Sequence, residues 1–314
     1  MEIFPNVHEI RSTFGNRYIK QYLFVGDTVV LLDAGIIGTP DSAIFPYMEK
    51  IGISPGRLSM VIAMHADGDH HGGLPAIKDA SASTLLACHQ GDLALIQDPE
   101  YLYQNRYNFL ARDHQLGFGR EGMVYSPRAC KIDVVLSADE TIQIAPDWKL
   151  RVWHVPGHSE GHLAVYDENN RAAFTSDAVQ AGGCPTMTGS MSFSPTYYAV
   201  DAYLATIRFL ENQPIEHIYS GHWLQVHGTE VHGFLDQSRE FVENADALIK
   251  AHLSDHRGGV TLKQLIASLG PKLGTWPEDT APFLQFALYG HLLRLQQRGI
   301  VRCESQTPVE YFLA

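Results

Sequence analysis

Short apolar runs closed by turn residues recur along the first 220 positions of this chain. Segments 19–25 and 28–32 flank Gly26-Asp27, a hairpin signature. Segment 58–63 reads as a buried strand. A helix-like stretch precedes it at 41–51, behind Pro40, and another follows at about 73–80. Further strands are predicted at 84–88, 132–136, 141–144, 148–155, 163–166, 171–174 and 217–219, with helices near 91–98, 200–212 and 230–253. A loop rich in Gly, Ser and Pro covers 181–196. Strands interleaved with helices predict a mixed α/β fold.

Two stretches break the rhythm. Residues 99–130 hold Tyr101, Tyr103, Tyr107, Phe109 and Phe118 among Arg106, Arg112, Arg120 and Arg128, with Gly117, Gly119 and Gly122 near the far end. They read as an inserted, partly helical cap, whose aromatic residues suit an ordinary core as well as a pocket wall. From about 255 the character changes at Gly258-Gly259. Helices at 260–269 and 283–298 precede short strands at 300–303 and 309–313, an order that resembles a winged helix. The expected organisation is therefore a domain over 1–254 and a small winged-helix-like domain over 255–314.

Charge narrows the functions. Thirty-five acidic against 23 basic residues leave −12, which disfavours binding to nucleic acid or anionic membrane. In the tail, Arg257, Lys263, Lys272, Arg294, Arg298 and Arg302 stand against Asp255, Glu278, Asp279, Glu304 and Glu310, a net +1 that falls short of a DNA-binding surface. Cys88, Cys130, Cys184 and Cys303 are widely spread and read as free thiols of a reducing compartment. Without a signal peptide or a span-length apolar run, the expected location is cytoplasmic and the expected partner a small-molecule substrate. A homo-oligomer stays open.

The chemistry concentrates at 64–73, Met-His-Ala-Asp-Gly-Asp-His-His-Gly-Gly, on a strand-to-helix turn. His65, His70 and His71 share seven positions with Asp67 and Asp69. Carboxylates so close repel unless a cation neutralises them, which points to a metal site. His158, Asp177 and His222 also follow apolar runs at turns. Strand ends along one sheet edge lie side by side, so these four places can converge.

These residues resemble the metallo-β-lactamase fold superfamily over residues 1 to about 254. Its usual first motif is His-x-His-x-Asp-His. Pro156-Gly157-His158-Ser159-x-Gly161-His162 is similar to its second motif, Ser176-Asp177 to its bridging carboxylate and Gly221-His222 to its last ligand. The resemblance implies an αββα sandwich and two divalent ions. One would be held by His65, Asp67 and His158, the other by Asp69, His70 and His222, with Asp177 between them. It also implies that Asp33 supports the site from behind and that Asp69 orients the nucleophile and accepts its proton. His71, His154, His162 and His227 read as outer supports or as plain packing. The departure is Asp67, which stands where the family's second histidine is expected. Carboxylate favours harder ions, so iron or manganese stands beside zinc. Asp67 also lowers the charge around the metals and leaves open that only one site fills.

The implied activity is hydrolysis of a small ester, lactone or thioester by a hydroxide held between two metals. Arg106, Tyr107, Tyr197 and Tyr198, with Pro195, are the expected substrate wall. The alternatives are a non-haem, diiron-type oxidoreductase suggested by Asp67 and, less favoured by charge, a nuclease.

Overall fold

The computed structural model describes residues 1–120, 128–223, 225–256, 258–304 and 306–314. Gly122 and Arg257 lie outside the described residues. Seven strands form the first sheet in chain order: β1 (Glu2–Phe4), β2 (Val7–Phe14), β3 (Arg17–Val25), β4 (Val29–Leu32), β5 (Met60–Ile62), β6 (Leu85–His89) and β7 (Val134–Leu136). The pairs from β1 to β4 are antiparallel hairpins, whereas β4 to β7 run parallel through helical crossovers.

The second half begins with β8 (Thr141–Ala145), β9 (Trp148–His154), β10 (Leu163–Asp167) and β11 (Ala172–Ser176). A short ribbon follows, β12 (Cys184–Pro185) with β13 (Met191–Phe193), inside the segment read from sequence as loop. Then come β14 (His217–Ser220) and β15 (Val226–His227), which complete a sheet ordered β15-β14-β11-β10-β9-β8.

Alternation along the strands sorts the layers. In β4, Val30 and Leu32 face the second sheet, where Val152, Val165 and Phe174 meet them, while Val29 and Leu31 face Met48, Leu74 and Ile77 of the helices outside. In β10, Leu163 and Val165 point inward, and Ala164 and Tyr166 point to the helices Val200–Glu211 and Glu230–Asp255. The result is the expected αββα sandwich.

The C-terminal residues form helices Leu262–Leu273 and Leu284–Gln297 beside a sheet of β16 (Val260–Thr261), β17 (Val301–Glu304) and β18 (Glu310–Leu313), ordered β16-β18-β17. A strand not expected from the sequence therefore precedes the first helix. Leu265, Leu269, Leu288 and Leu292 share one apolar cluster with Tyr203, Phe241 and Ile249. Arg294 and Arg298 both donate to Asp201, at 2.9 and 3.0 Å. This region is packed on the sandwich through apolar burial and ion pairs. Among the described residues no helix is long and apolar enough to cross a membrane, and all four cysteines are free thiols.

Candidate metal centre

Four strand ends meet at one edge. β4 leads to Asp33 and β11 ends at Ser176, both with positive φ (61° and 45°). Such backbone is costly for residues with a Cβ, of order 1–3 kcal/mol, and persists where surrounding contacts impose it. Here those contacts are mutual. Asp33 accepts from the Met64 amide at 2.9 Å, from His70 Nδ1 at 2.8 Å and from Ser176 Oγ at 2.8 Å. The role implied for Asp33 is thus its geometry. β5 leads to His65 and Asp67, the short helix Gly68–His71 carries Asp69 and His70, and β14 leads to His222. Gly221 must be glycine, since a Cβ there would sit 2.7 Å from both Asp177 Oδ1 and His70 Cε1.

His70, Asp69, His222 and Asp177 form one half of the centre. His70 Nδ1 donates to Asp33, and His222 Nδ1 donates to the Tyr18 carbonyl at 2.8 Å. Both Nε2 atoms therefore present lone pairs, and they face each other at 3.3 Å. Asp69 Oδ2 lies 3.5 Å and Asp177 Oδ2 3.4 Å from His222 Nε2. Converging lone pairs and carboxylates require a cation, and this donor set suits a divalent metal. In its absence a proton takes that place. Burial would lower the pKa of His70, but Asp33, Asp177 and Asp69 raise it to about 10. His222 is shifted up by Asp177 and Asp69 against the same burial effect. Gln180 Nε2 donates to Asp177 at 3.1 Å and fixes its orientation.

His65, Asp67 and His158 form the other half, and there a cation is already present. Arg106, from the inserted cap, is buried and grips Asp67 with two bonds, Nε to Oδ1 at 2.8 Å and Nη2 to Oδ2 at 3.0 Å. Nη1 donates to the His158 carbonyl at 2.8 Å, and Nη2 lies 3.2 Å from His158 Nε2. Thr196 Oγ1 lies 3.1 Å from His158 Nδ1 and 3.2 Å from Gln180 Oε1, which holds the imidazole in place. His158 Nε2 is hydrogen-bonded to Asp67 Oδ2 at 2.9 Å, and the guanidinium closes on the same pair. Burial would raise the Asp67 pKa, but Arg106 and then His158 hold it well below the carboxylate range. Burial lowers the His65 pKa and keeps that ring neutral, and its Nε2 has no hydrogen-bond partner.

The outer histidines divide. His162 stacks on His65 with centroids 4.6 Å apart, and His71 Nδ1 donates to the Asp67 carbonyl at 3.0 Å. His154 instead stacks on His89, and His227 bonds His217, so neither reaches the ligands. Asp92 went unnoticed in the sequence, although it too follows a strand end. It is buried and accepts from Ser159 Oγ at 2.6 Å and from the Gly161 amide at 2.8 Å, which holds the His158 turn.

Above the centre opens a cavity of about 410 Å³. Asp67, Asp69, Asp177, His222, Arg106 and Tyr107 lie at its base. Tyr107 accepts from the Gly68 amide at 2.9 Å, so it shapes the ligand turn as well as the cavity. The expected tyrosine wall needs correction. Tyr197 is fully buried with its hydroxyl against His291 at 2.9 Å, because its ring stacks on Tyr203 in the core. Tyr198 lies beside Arg106, 5.8 Å from guanidinium carbon to ring centroid, and Pro195 is buried. The walls come from elsewhere: Phe14 and Arg17 on the β2–β3 hairpin, Phe118 of the cap, Phe193 of β13, and Phe283 and Phe286 of the C-terminal region. Phe118 packs on Phe283 and Phe286, so cap and C-terminal region close the cavity jointly.

Comparison with known proteins agrees with this geometry. A hydroxyacylglutathione hydrolase of Pelagibacter ubique is 30% identical over 95 residues, which are 30% of this chain and 36% of the relative. One from Cereibacter sphaeroides is 22% identical over 163 residues, 52% of this chain and 49% of the relative. The chain thus spans half or less of these curated relatives. A metallo-beta-lactamase family protein from Thermus thermophilus superposes with a TM-score of 0.74 at 18% identity, over 100% of both chains. The family model of the metallo-beta-lactamase superfamily matches residues 15–222, about two thirds of the chain, and the protein belongs to that superfamily.

Proposed function

We propose that this protein is a metal-dependent hydrolase of a small carboxylic ester or thioester. The observation that carries this is the convergence of His70 Nε2, His222 Nε2, Asp69 and Asp177 at the base of an aromatic cavity. A bound divalent ion supplies Lewis acidity there, which acidifies water and polarises a carbonyl. His70 and His222 would hold the ion, with Asp33 and the Tyr18 carbonyl fixing their tautomers. Asp177 is aimed by Gln180. Asp69 faces the cavity, where its carboxylate can orient the attacking water and take its proton.

The cavity walls indicate the substrate. Phe14, Phe193, Phe283 and Phe286 suit an apolar acyl or aryl group. Arg17 stands at the rim, donating to Ser192 Oγ at 3.0 Å, and no carboxylate pairs with it among the described residues. An ester or thioester carrying an anionic group remote from the scissile bond fits both features. The hydroxyacylglutathione hydrolases among its relatives favour the thioester. Iron loses its particular claim, because Asp67 and Arg106 together are neutral, like the histidine the family places there.

The test is a panel of esters, lactones and thioesters, each with a neutral and an anionic tail, against zinc-loaded and manganese-loaded protein. Turnover of anionic thioesters or esters that EDTA abolishes supports the reading. No turnover of any member with metal bound overturns it.

A further inference from the structure

We infer that Arg106 serves as the built-in cation of the His65–Asp67–His158 half, so that the protein carries one metal ion, at Asp69, His70, His222 and Asp177. This rests on the metal-centre reading above and concerns how many ions it holds.

The geometry is specific. A metal joining Asp67 Oδ2 and His158 Nε2 must lie on their lone pairs. Those two atoms are already bonded to each other at 2.9 Å, and Arg106 Nη2 stands 3.0 Å from the first and 3.2 Å from the second. The remaining guanidinium nitrogens are engaged by Asp67 Oδ1 and the His158 carbonyl, so the group is locked from two sides. Phe286 and Tyr198 lie 5.4 and 5.8 Å from the guanidinium carbon and confine it further. Arg106 stays charged at any working pH, so a second dication would have to enter against a fixed positive charge. Of the trio only His65 keeps a nitrogen without a partner, and one neutral imidazole is a poor hold for a dication. In the opposite half no lysine or arginine reaches the ligand atoms among the described residues. Asp67 and Arg106 are then one unit: the departure from the family's histidine and the buried arginine explain each other.

The experiment counts ions and needs no substrate. The full chain is saturated with zinc, freed of excess, and measured for metal per chain by mass spectrometry, with circular dichroism to confirm folding. One zinc per chain is expected for the wild type, retained in His158→Ala and lost in His222→Ala. The pair of changes Asp67→His with Arg106→Met should raise the count to two. Two ions in the wild type overturn the inference while leaving the hydrolase reading intact. A single ion lost in His158→Ala and kept in His222→Ala overturns it as well. No bound ion would overturn the metal-centre reading too. If a variant fails to fold, the wild-type count and the position of zinc by anomalous diffraction decide alone.

Discussion

The two halves of the metal centre draw on the same kinds of residue at the same sheet edge, yet they reach neutrality differently. Around His70 and His222, every Nδ1 is tied to an acceptor of the chain, and the lone pairs of both Nε2 atoms are left facing each other at 3.3 Å. Their cation has to come from solution. Around His158 and Asp67, the two side chains bond each other and a guanidinium carried in by the cap closes on the pair. Ligand type and spacing therefore do not by themselves decide whether a site takes metal. What decides is whether another side chain has supplied the charge first.

The largest effect should come from breaking the half that is closed by Arg106. Removing one partner of a buried ion pair costs about 3–5 kcal/mol. Arg106→Met should lose about that much in chemical denaturation, and Arg106→Met with Asp67→Asn should recover a good part of it. Equal loss in the single and double variants would contradict their acting as a pair.

The opposite half should show itself through pH. Without metal, the folded pKa of His70 is about 10, above the ordinary 6.5. The folded state holds a proton that the unfolded chain has released, so this stabilisation is fully present below pH 6.5 and is lost as pH rises through about 10. The melting temperature of metal-free protein should fall over that window, and less so in His70→Gln. Identical slopes in both proteins would show that the carboxylates do not act on His70.

A smaller effect separates the outer supports of the two halves. Asp33→Ala frees His70 Nδ1 and should weaken zinc binding by about 10–100-fold in a chelator competition, the usual range for such partners. Thr196→Val frees His158 Nδ1 and should leave zinc affinity unchanged. The smallest effect contrasts the two cavity arginines. Arg106 is paired with Asp67, whereas among the described residues no carboxylate pairs with Arg17. Arg17→Met should therefore raise KM about tenfold for an anionic substrate, roughly 1.4 kcal/mol, with kcat and neutral substrates little changed. A fall in kcat for both would place Arg17 in another role.

Much of this was legible in the chain before any coordinates. The hairpin at Gly26-Asp27 forms between β3 and β4, and the ligand turns follow β5, β11 and β14 as the apolar runs foretold. Asp33, His65, Asp69, His70, His158, Asp177 and His222 do gather at one edge. Asp92 escaped notice although the same strand-end rule could have found it, because a lone aspartate after a strand is also a common turn residue. The error over Tyr197 has another source. Its neighbour in sequence lies beside Arg106, but Tyr197 is drawn into the core, with its ring on Tyr203 and its hydroxyl against His291.

What the sequence determined by itself is everything that depends on near neighbours: the periods of strand and helix, the turns that end them, and the ligand types those turns present. These follow from local sterics and from which face of each element must leave water. Only the tertiary structure decided the rest. Arg106 meets Asp67 across 39 positions, and Phe283 and Phe286 reach a cavity whose base begins at Asp67, far earlier in the chain. No period or spacing encodes such meetings, since they depend on how layers and insertions pack around a shared core. A charge borrowed across that distance decides whether a familiar set of ligands binds one ion or two.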